Sequence, residues 1–423
     1  MSNLAVDAFF AGPRPLHSHR FRRVLRRVEH RVGDDPGVQR LSLASTGHLY
    51  KREGTTDRQQ ASSSTEERSL RVLKDQLVVN PMWLTGGSIA VSGVQGAVSP
   101  DYRVFESDST LLVPRYLHHL LRSRPYRDQY DLFVRANTTF DRRIQQDDLD
   151  QLPLFLPDLD QQRRIADFLD DRVARIDQII TARNEQRRQL GELRTARLQA
   201  LQDSWVLRHG EIRLAHALKG MEQGWSPQAD AGEASHDEWG VMRAGCVNGG
   251  VFRACDNKRL PDSMDPDARY EIRAGDLLMS RASGSLDLIG SVAVVPTDVR
   301  PRLMLCDKIY RLFPVPGWSA AFLAPMLRTH RNREVIRLGI SGAEGMANNL
   351  PSGLLKGLLI PMVPPDLQAA CADAAGSIEA EARTSETNLA YSVERLQEYK
   401  QALITAAVMG ELDVTTAGSG IPG

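Results

Sequence analysis

The second half of this 423-residue chain repeats its first, and that constrains the fold more than any other property. If the repeat is missed, the unit that folds is misjudged by a factor of two. Residues 72–80 match residues 272–280 in apolar pattern, 200 positions on. Residues 87–91 match 290–294 at a displacement of 203, and residues 116–123 match 322–329 at 206. At 206, Ile144, Leu149 and Leu152 also fall on Leu350, Leu355 and Leu358, and at 207 Pro157 and Gln161 fall on Pro364 and Gln368. One apolar match arises by chance; five in order with a slowly growing displacement do not. The length agrees, since a chain of this size exceeds what one hydrophobic core organises.

Both halves carry the same local signals. Short apolar runs punctuated by Gly, Pro, Asn and Asp predict strands at 76–80, 88–92 and 102–105, and again at 276–280, 290–295 and 308–313. Ala274-Gly275-Asp276 is a turn cue directly before one of them. A helix follows in each copy, at 114–124 and 319–328.

Each half then closes with a long helix. After Pro157 the apolar positions Ile165, Leu169, Val173, Ile176 and Ile180 keep helical spacing, and Leu190 and Leu193 resume the stripe beyond Arg183 and Arg187. After Pro364 and Pro365, one face holds Leu367, Cys371, Ala374, Ile378, Leu389, Val393, Leu396, Leu403 and Ala407. Only Gly191 interrupts 161–204, and only Gly376 interrupts 366–409. About 40 residues at ~1.5 Å each make a rod of roughly 60 Å. Such a stripe needs a partner, and the simplest partner is the other long helix. Antiparallel pairing would relate the halves by an approximate two-fold axis. The expected organisation is a globular domain over 1–155, a helix over 156–204, a second domain over 205–362, a second helix over 363–412 and a flexible tail over 413–423.

With 42% hydrophobic and 25% charged residues the chain is of ordinary globular composition, which excludes a disordered or fibrous class. Cys246, Cys255, Cys306 and Cys371 are scattered without a C-x-x-C pair, which argues against a disulfide framework or a zinc site. The short run ending in Phe9 and Phe10 is too brief for a signal-peptide core, and nothing approaches the ~20 apolar residues of a membrane span. A cytoplasmic protein with no membrane partner is expected.

The 53 basic and 53 acidic residues balance, which counts against a nucleic-acid binder. The distribution is uneven, however: Arg14, Arg20, Arg22, Arg23, Arg26, Arg27 and Arg31 face only Glu29 within their span, and 259–281 and 328–337 are locally Arg-rich. Each run also reads as a solvated face.

No G-x-x-x-x-G-K-[ST] is present to cradle a nucleotide phosphate. Neither Pro100-Asp101 nor Pro261-Asp262 is followed by the acid-x-lysine of a metal-dependent nuclease. Asn80-Pro81-Met82-Trp83 approaches the tetrad with which amino-methyltransferases hold a flipped base. Met82 replaces the second proline, though, and the repeat sets Ser280-Arg281-Ala282 opposite, so the position reads as a loop after a strand. No catalytic residues, metal site or cofactor are expected.

What remains is a set of polar loop residues suited to DNA edges: Asn80 and Trp83, Asn137 and Thr138, Arg281 and Ser283, and Asn348 and Asn349. Asparagine pairs bidentately with adenine and arginine with guanine, yet each is also an ordinary turn residue.

Leu156-Pro157-Asp158-Leu159-Asp160-Gln161-Gln162-Arg163-Arg164-Ile165, with Leu169-Asp170 after it, has a counterpart in Val363-Pro364-Pro365-Asp366-Leu367-Gln368. With these stand Asn80-Pro81-Met82, residues 87–92, 99–102 and 274–281, and the ending 396–414 with its Gly410-Glu411-Leu412-Asp413. In this order the motifs resemble the specificity subunits of type I restriction-modification systems. The second junction departs from the pattern, with Ala369 and Ala370 set opposite Gln162 and Arg163, and the first ~20 residues lie outside the resemblance.

The resemblance implies a mixed α/β (α+β) fold of two duplicated globular target recognition domains, joined and braced by two long antiparallel helices in a pseudo-two-fold arrangement. It implies a non-catalytic chain that reads an asymmetric, two-part site on double-stranded DNA, with the helices fixing the spacer. Methyl transfer, translocation and cleavage would belong to partners, two DNA methyltransferase subunits and two motor/endonuclease subunits, which would also supply phosphate neutralisation. The competing readings are a self-sufficient DNA adenine methyltransferase, a coiled-coil scaffold without a DNA role, and the specificity part of a related system lacking the motor chain.

Overall fold

The computed structural model describes residues 17–33, 37–52, 68–134, 143–340 and 348–415. They fall into two units, one within 1–183 and 391–423, the other within 184–390. The first runs β1 (His17–Arg20), α1 (Phe21–Val24), β2 (Leu25–Val28), β3 (Leu41–Leu43), β4 (Leu49–Lys51), β5 (Leu70–Val72), β6 (Leu77–Val79), β7 (Ile89–Val91), β8 (Gly96–Val98), β9 (Arg103–Ser107), α2 (Pro114–Arg122), α3 (Arg124–Leu132), α4 (Gln146–Gln151), β10 (Pro153–Leu156) and the start of α5 (Leu159–His209). After the rest of α5 the second runs β11 (Glu211–Arg213), β12 (Leu218–Gln223), β13 (Gly240–Met242), β14 (Asn257–Arg259), β15 (Leu277–Ser280), β16 (Ala282–Ser283), β17 (Val292–Val294), β18 (Leu303–Met304), β19 (Ile309–Pro314), α6 (Ala320–Leu327), α7 (His330–Gly339), β20 (Asn348–Asn349), α8 (Ser352–Gly357), β21 (Leu359–Pro361) and most of α9 (Pro365–Val408).

The duplication is plain in the topology. A four-stranded antiparallel sheet of order β2-β9-β6-β7 in the first unit recurs as β12-β19-β15-β17 in the second. β1 pairs with β10, and β11 with β21. From α2 onward the displacement is constant: α2, α3, α4, β10 and α5 each begin 206 residues before α6, α7, α8, β21 and α9. Counted from β6, the displacement therefore changes only between β6 and α2 and their counterparts, reaching 207 at the paired strands β9 and β19 before settling at 206.

The central strands read as unbroken apolar runs because both faces of the sheet are covered. Leu77 and Val79 enter a core with helix residues Tyr116, Leu117 and Leu120, while Val78 between them enters a second core with Leu41, Val72 and Val98. Likewise Leu277 and Met279 pack with Phe322 and Leu323, and Leu278 packs with Val241, Leu303 and Met304 on the other side. The second face carries different small sheets, β3-β4 and β5-β8 in the first unit and β14-β13-β18 in the second.

Each long helix is pinned at its first turn by one buried glutamine. Gln162 Oε1 accepts the Val113 N–H at 2.8 Å, and its Nε2 donates to Leu111 O at 2.9 Å and Pro157 O at 2.8 Å. Gln368 does the same with Ser319 N–H at 2.8 Å, Gly317 O at 2.9 Å and Val363 O at 3.1 Å. These side chains are 0% and 2% exposed, so the bonds replace water entirely. The finding corrects the sequence alignment at this junction: Gln162, not Gln161, is the counterpart of Gln368, the displacement stays at 206, and Ala369 and Ala370 stand opposite Arg163 and Arg164. Apolar pattern alone could not choose between adjacent glutamines, but only one turns inward.

Within each unit the long helices pack antiparallel, their residue numbers running in opposite senses. In the first unit Ile165, Ala166 and Leu169 share a core with Ile404, Ala407 and Val408, and Lys400 pairs with Asp177 at 2.6 Å. In the second, Leu198 packs on Ala375 and Ile378, and Arg197 pairs with Glu381 at 2.6 Å. Ala375 is the buried position and Ala374 is exposed, a shift of one from the expected stripe. Leu193 is also exposed, so the stripe thins beyond Ile176. The first unit adds a polar joint in which Arg115 reaches Asp167 and Asp170 at 2.7 Å each and His119 Nε2 meets Asp170 at 2.7 Å; the second unit has Ala321 and Pro325 at the corresponding helix positions. Among the described residues no helix is long and apolar enough to cross a membrane.

Candidate nucleic-acid interface

The loops after β6 and β15 are built on one plan. Asn80 N–H donates to Ser88 O at 3.0 Å, closing the loop 80–88, and Ser280 N–H donates to Ser291 O at 2.8 Å. Gly87 and Gly290 sit at the returning ends with φ of +90° and +73°, where a side chain would be strained. A Cβ on Gly87 would also lie 2.8 Å from Ser45 O. A half-buried arginine ties each loop to the helix behind it. Arg122 Nη1 donates to Gly87 O at 2.8 Å, and its counterpart Arg328 donates to Val292 O at 3.0 Å. Burial pushes the Arg122 guanidinium down to about 10, as expected of a cation enclosed by carbonyls rather than acids.

A second chain segment lies against each loop. Ile144 N–H donates to Pro81 O at 3.0 Å, and its counterpart Leu350 N–H donates to Arg281 O at 2.8 Å. A residue of the central strand braces this segment: Arg103 Nη2 donates to Ile144 O at 2.8 Å, and the Tyr310 hydroxyl donates to Leu350 O at 3.0 Å. Strand register makes these two positions equivalent, since Val79 pairs with Arg103 and Met279 with Tyr310. The scaffold is shared, while the side chains differ.

In the first unit Asn80 is 8% exposed and its Oδ1 accepts the Met82 N–H at 3.1 Å, an Asx turn. It also bonds the Tyr102 hydroxyl, and burial holds that phenol above the usual range against the bond. Leu84 anchors the loop, whereas Trp83 next to it is 61% exposed. Arg103 is nearly buried, and its guanidinium lies below the ordinary arginine range through burial and the nearby charges of Arg27 and Arg143. Asn80 and Trp83 thus share a loop but face opposite ways. Asn137 and Thr138 lie outside the described residues.

In the second unit the structure gathers four of the expected residues. Strands β16 and β20 form a two-stranded antiparallel ribbon with Ala282 opposite Asn349 and Ser283 opposite Asn348, directly after Arg281. Ser283 Oγ accepts the Ser285 N–H at 3.2 Å. Arg281 is half-buried, with its guanidinium 5.9 Å from the Tyr310 ring centroid. A ribbon of this width is one of the two forms the major groove admits. Sequence reasoning missed Arg103, Tyr102 and Tyr310. The signal was available in part, because both Arg103 and Tyr310 sit in strands already predicted, but the 207-residue offset between them breaks the pattern.

No family model matches the chain. It is 28% identical over 158 residues to the type I restriction enzyme EcoEI specificity subunit of Escherichia coli, a stretch covering 37% of this chain and 26%, about a quarter, of that protein. Its fold is that of a chain solved in a study of complex assembly and conformational transition of the type I R-M system, with a TM-score of 0.62, 17% identity, and coverage of 95% of this chain and 100% of the other. An HsdS subunit from Thermoanaerobacter tengcongensis aligns over 95% of this chain and 98% of its own at 16% identity, with a TM-score of 0.43.

Proposed function

We propose that the chain is the DNA-reading specificity subunit of a type I restriction-modification complex. One observation carries this reading above the rest: two units of one fold present the same loop-and-brace construction with different side chains in it. Asn80, Pro81 and Arg103 in the first stand where Ser280, Arg281 and Tyr310 stand in the second. Two such readers suit a two-part site whose halves differ, because direct readout depends on the donors and acceptors presented to base edges.

In this reading Trp83 belongs to the first unit's contact loop, which Asn80 shapes from beneath, and Asn137 and Thr138 are proposed as further contacts. Arg281, Ser283, Asn348 and Asn349 form the second unit's contact ribbon. The globular parts 1–155 and 205–362 are the target recognition domains, and the helices between and after them are spacer elements. The subunit is non-catalytic and cytoplasmic. Methyl transfer falls to DNA methyltransferase subunits, and translocation and cleavage to motor/endonuclease subunits. The relative named for a restriction enzyme supports the assignment, as does the likeness of fold. The buried, turn-forming Asn80 weighs against the rival methyltransferase reading, since its amide oxygen is engaged by Met82 rather than open to a base.

Mapping methylated adenines in cells with and without the gene tests the proposal. The expected result is an interrupted, non-palindromic motif that appears only when the chain is present. A continuous or palindromic motif, or methyl-donor binding by the isolated chain, refutes it.

A further inference from the structure

The arginines around the second unit's loop differ in what holds them. Arg311 is buried between Asp276 at 3.1 Å and Glu222 at 3.3 Å. Arg328 meets Glu379 at 2.6 Å, and Arg333 Nη2 donates to Asp287 O at 2.8 Å. Arg281 has no carboxylate partner among the described residues. Its position is nonetheless fixed. Its N–H donates to Lys308 O at 2.7 Å, its carbonyl accepts from Leu350, and one guanidinium nitrogen makes a long 3.3 Å bond to Asp307 O. The Tyr310 ring lies beneath the guanidinium, is 7% exposed, and cannot swing away while its hydroxyl bonds Leu350 O.

A planar guanidinium held against an aromatic face, with most of its five donors uncommitted, is a pre-organised fork. Its orientation cost is met by the fold before any ligand arrives. Among the described residues the first unit has no such fork at the corresponding place. Pro81 replaces Arg281, and Arg103, in the place of Tyr310, is tied to Ile144 O with its other nitrogen enclosed.

We infer that Arg281 reads a guanine in the half-site of the second unit and that Tyr310 is the positioning residue that aims it. This rests on the DNA-reading role proposed above and names one base and one supporting residue within it.

The test uses tagged full-length chain with the subunits that co-purify, a randomised duplex DNA pool, and sequencing of the bound fraction at two salt concentrations. Wild type is expected to select a two-part motif. R281A should lose preference at one G·C pair in one half, by roughly 5- to 150-fold, and leave the other half unchanged. R281K, which keeps the charge but not the fork, should relax the same position. Y310L should relax it too, whereas Y310F, which keeps the ring but loses its tether to Leu350 O, should relax it less than Y310L. If R281A instead weakens binding evenly across sequences and lowers the salt slope by about one, Arg281 is a phosphate contact and the inference is overturned. An unchanged motif in folded R281A overturns it as well, leaving the proposed function intact. Failure of wild type to select any two-part motif overturns both.

Discussion

Replacing Gln162 with leucine keeps approximate volume and removes three hydrogen bonds at once. The Val113 N–H and the carbonyls of Leu111 and Pro157 lose their partner in a site where the side chain is 0% exposed. An orphaned buried main-chain group costs about 1–3 kcal/mol, so three set an upper range near ~9 kcal/mol. Local relaxation and water entry reduce this, and we expect ~3–5 kcal/mol, at the high end for a point substitution. Gln162→Glu should be no better above its pKa: the carboxylate still accepts from Val113 but turns its other oxygen towards two carbonyl oxygens. A two-unit chain has no single unfolding free energy, so the loss must be read locally. Hydrogen exchange followed by mass spectrometry on peptides covering 111–117 and 157–165 should show protection falling by about 100-fold or more. Peptides covering 317–323 and 363–370 should be unaffected, and Gln368→Leu should give the mirror result. A loss under ~1 kcal/mol, or equal loss in both units from one substitution, refutes the reasoning that each glutamine is an independent pin.

Two further outcomes follow from titratable groups. His118 Nδ1 accepts the Val91 N–H at 3.3 Å, and burial, with His119 and Arg122 close by, pushes its imidazolium down to about 3 despite Asp170. The folded state thus holds His118 neutral while the unfolded chain protonates it near pH ~6.5, so its contribution to stability is full above ~6.5 and is lost as pH falls towards about 3. His118→Gln should flatten the melting temperature of the first unit across that window; an unchanged acid slope counts against it. Burial raises the Cys306 and Cys371 thiols to about 11 and Cys246 further, whereas Cys255 is exposed. At about pH 8 iodoacetamide should therefore modify Cys255 alone in the native chain, and rapid labelling of a second cysteine contradicts the burial.

The strands of the central sheet, the helices behind it and both long helices were legible because each leaves a periodic apolar signature and the copies reinforce one another. The unbroken apolar run Leu77, Val78 and Val79 announces a strand covered on both faces, and Leu169 and Ile176 announce a helix stripe. The second-face sheets were not legible: β13 and β14 pair across a long irregular stretch, whereas the corresponding hairpin of β3 and β4 closes over a short one, so the two copies share no apolar pattern there. Nor were the arginine brackets, since Arg122 and Arg328 look like helix-end charges until carbonyls from distant loops surround them. At the candidate interface, adjacency in sequence gathered Arg281 with Ser283, and the repeat hinted at Asn348 and Asn349. The depth of Asn80 and the bracing by Tyr310 depend on strand register, which a one-residue offset conceals.

Met362 N–H donates to Gly210 O at 3.0 Å and the pairing of β11 with β21 follows directly, so the chain leaves α5 and returns to α9 side by side. Everything between those residues is a closed excursion with a shared doorway. Loops that touch neither helix, such as 281–290, the counterpart of 80–88, can change length or composition while the doorway keeps its width. Such loop sequences can therefore diverge in the second unit without re-engineering the pairing at the doorway.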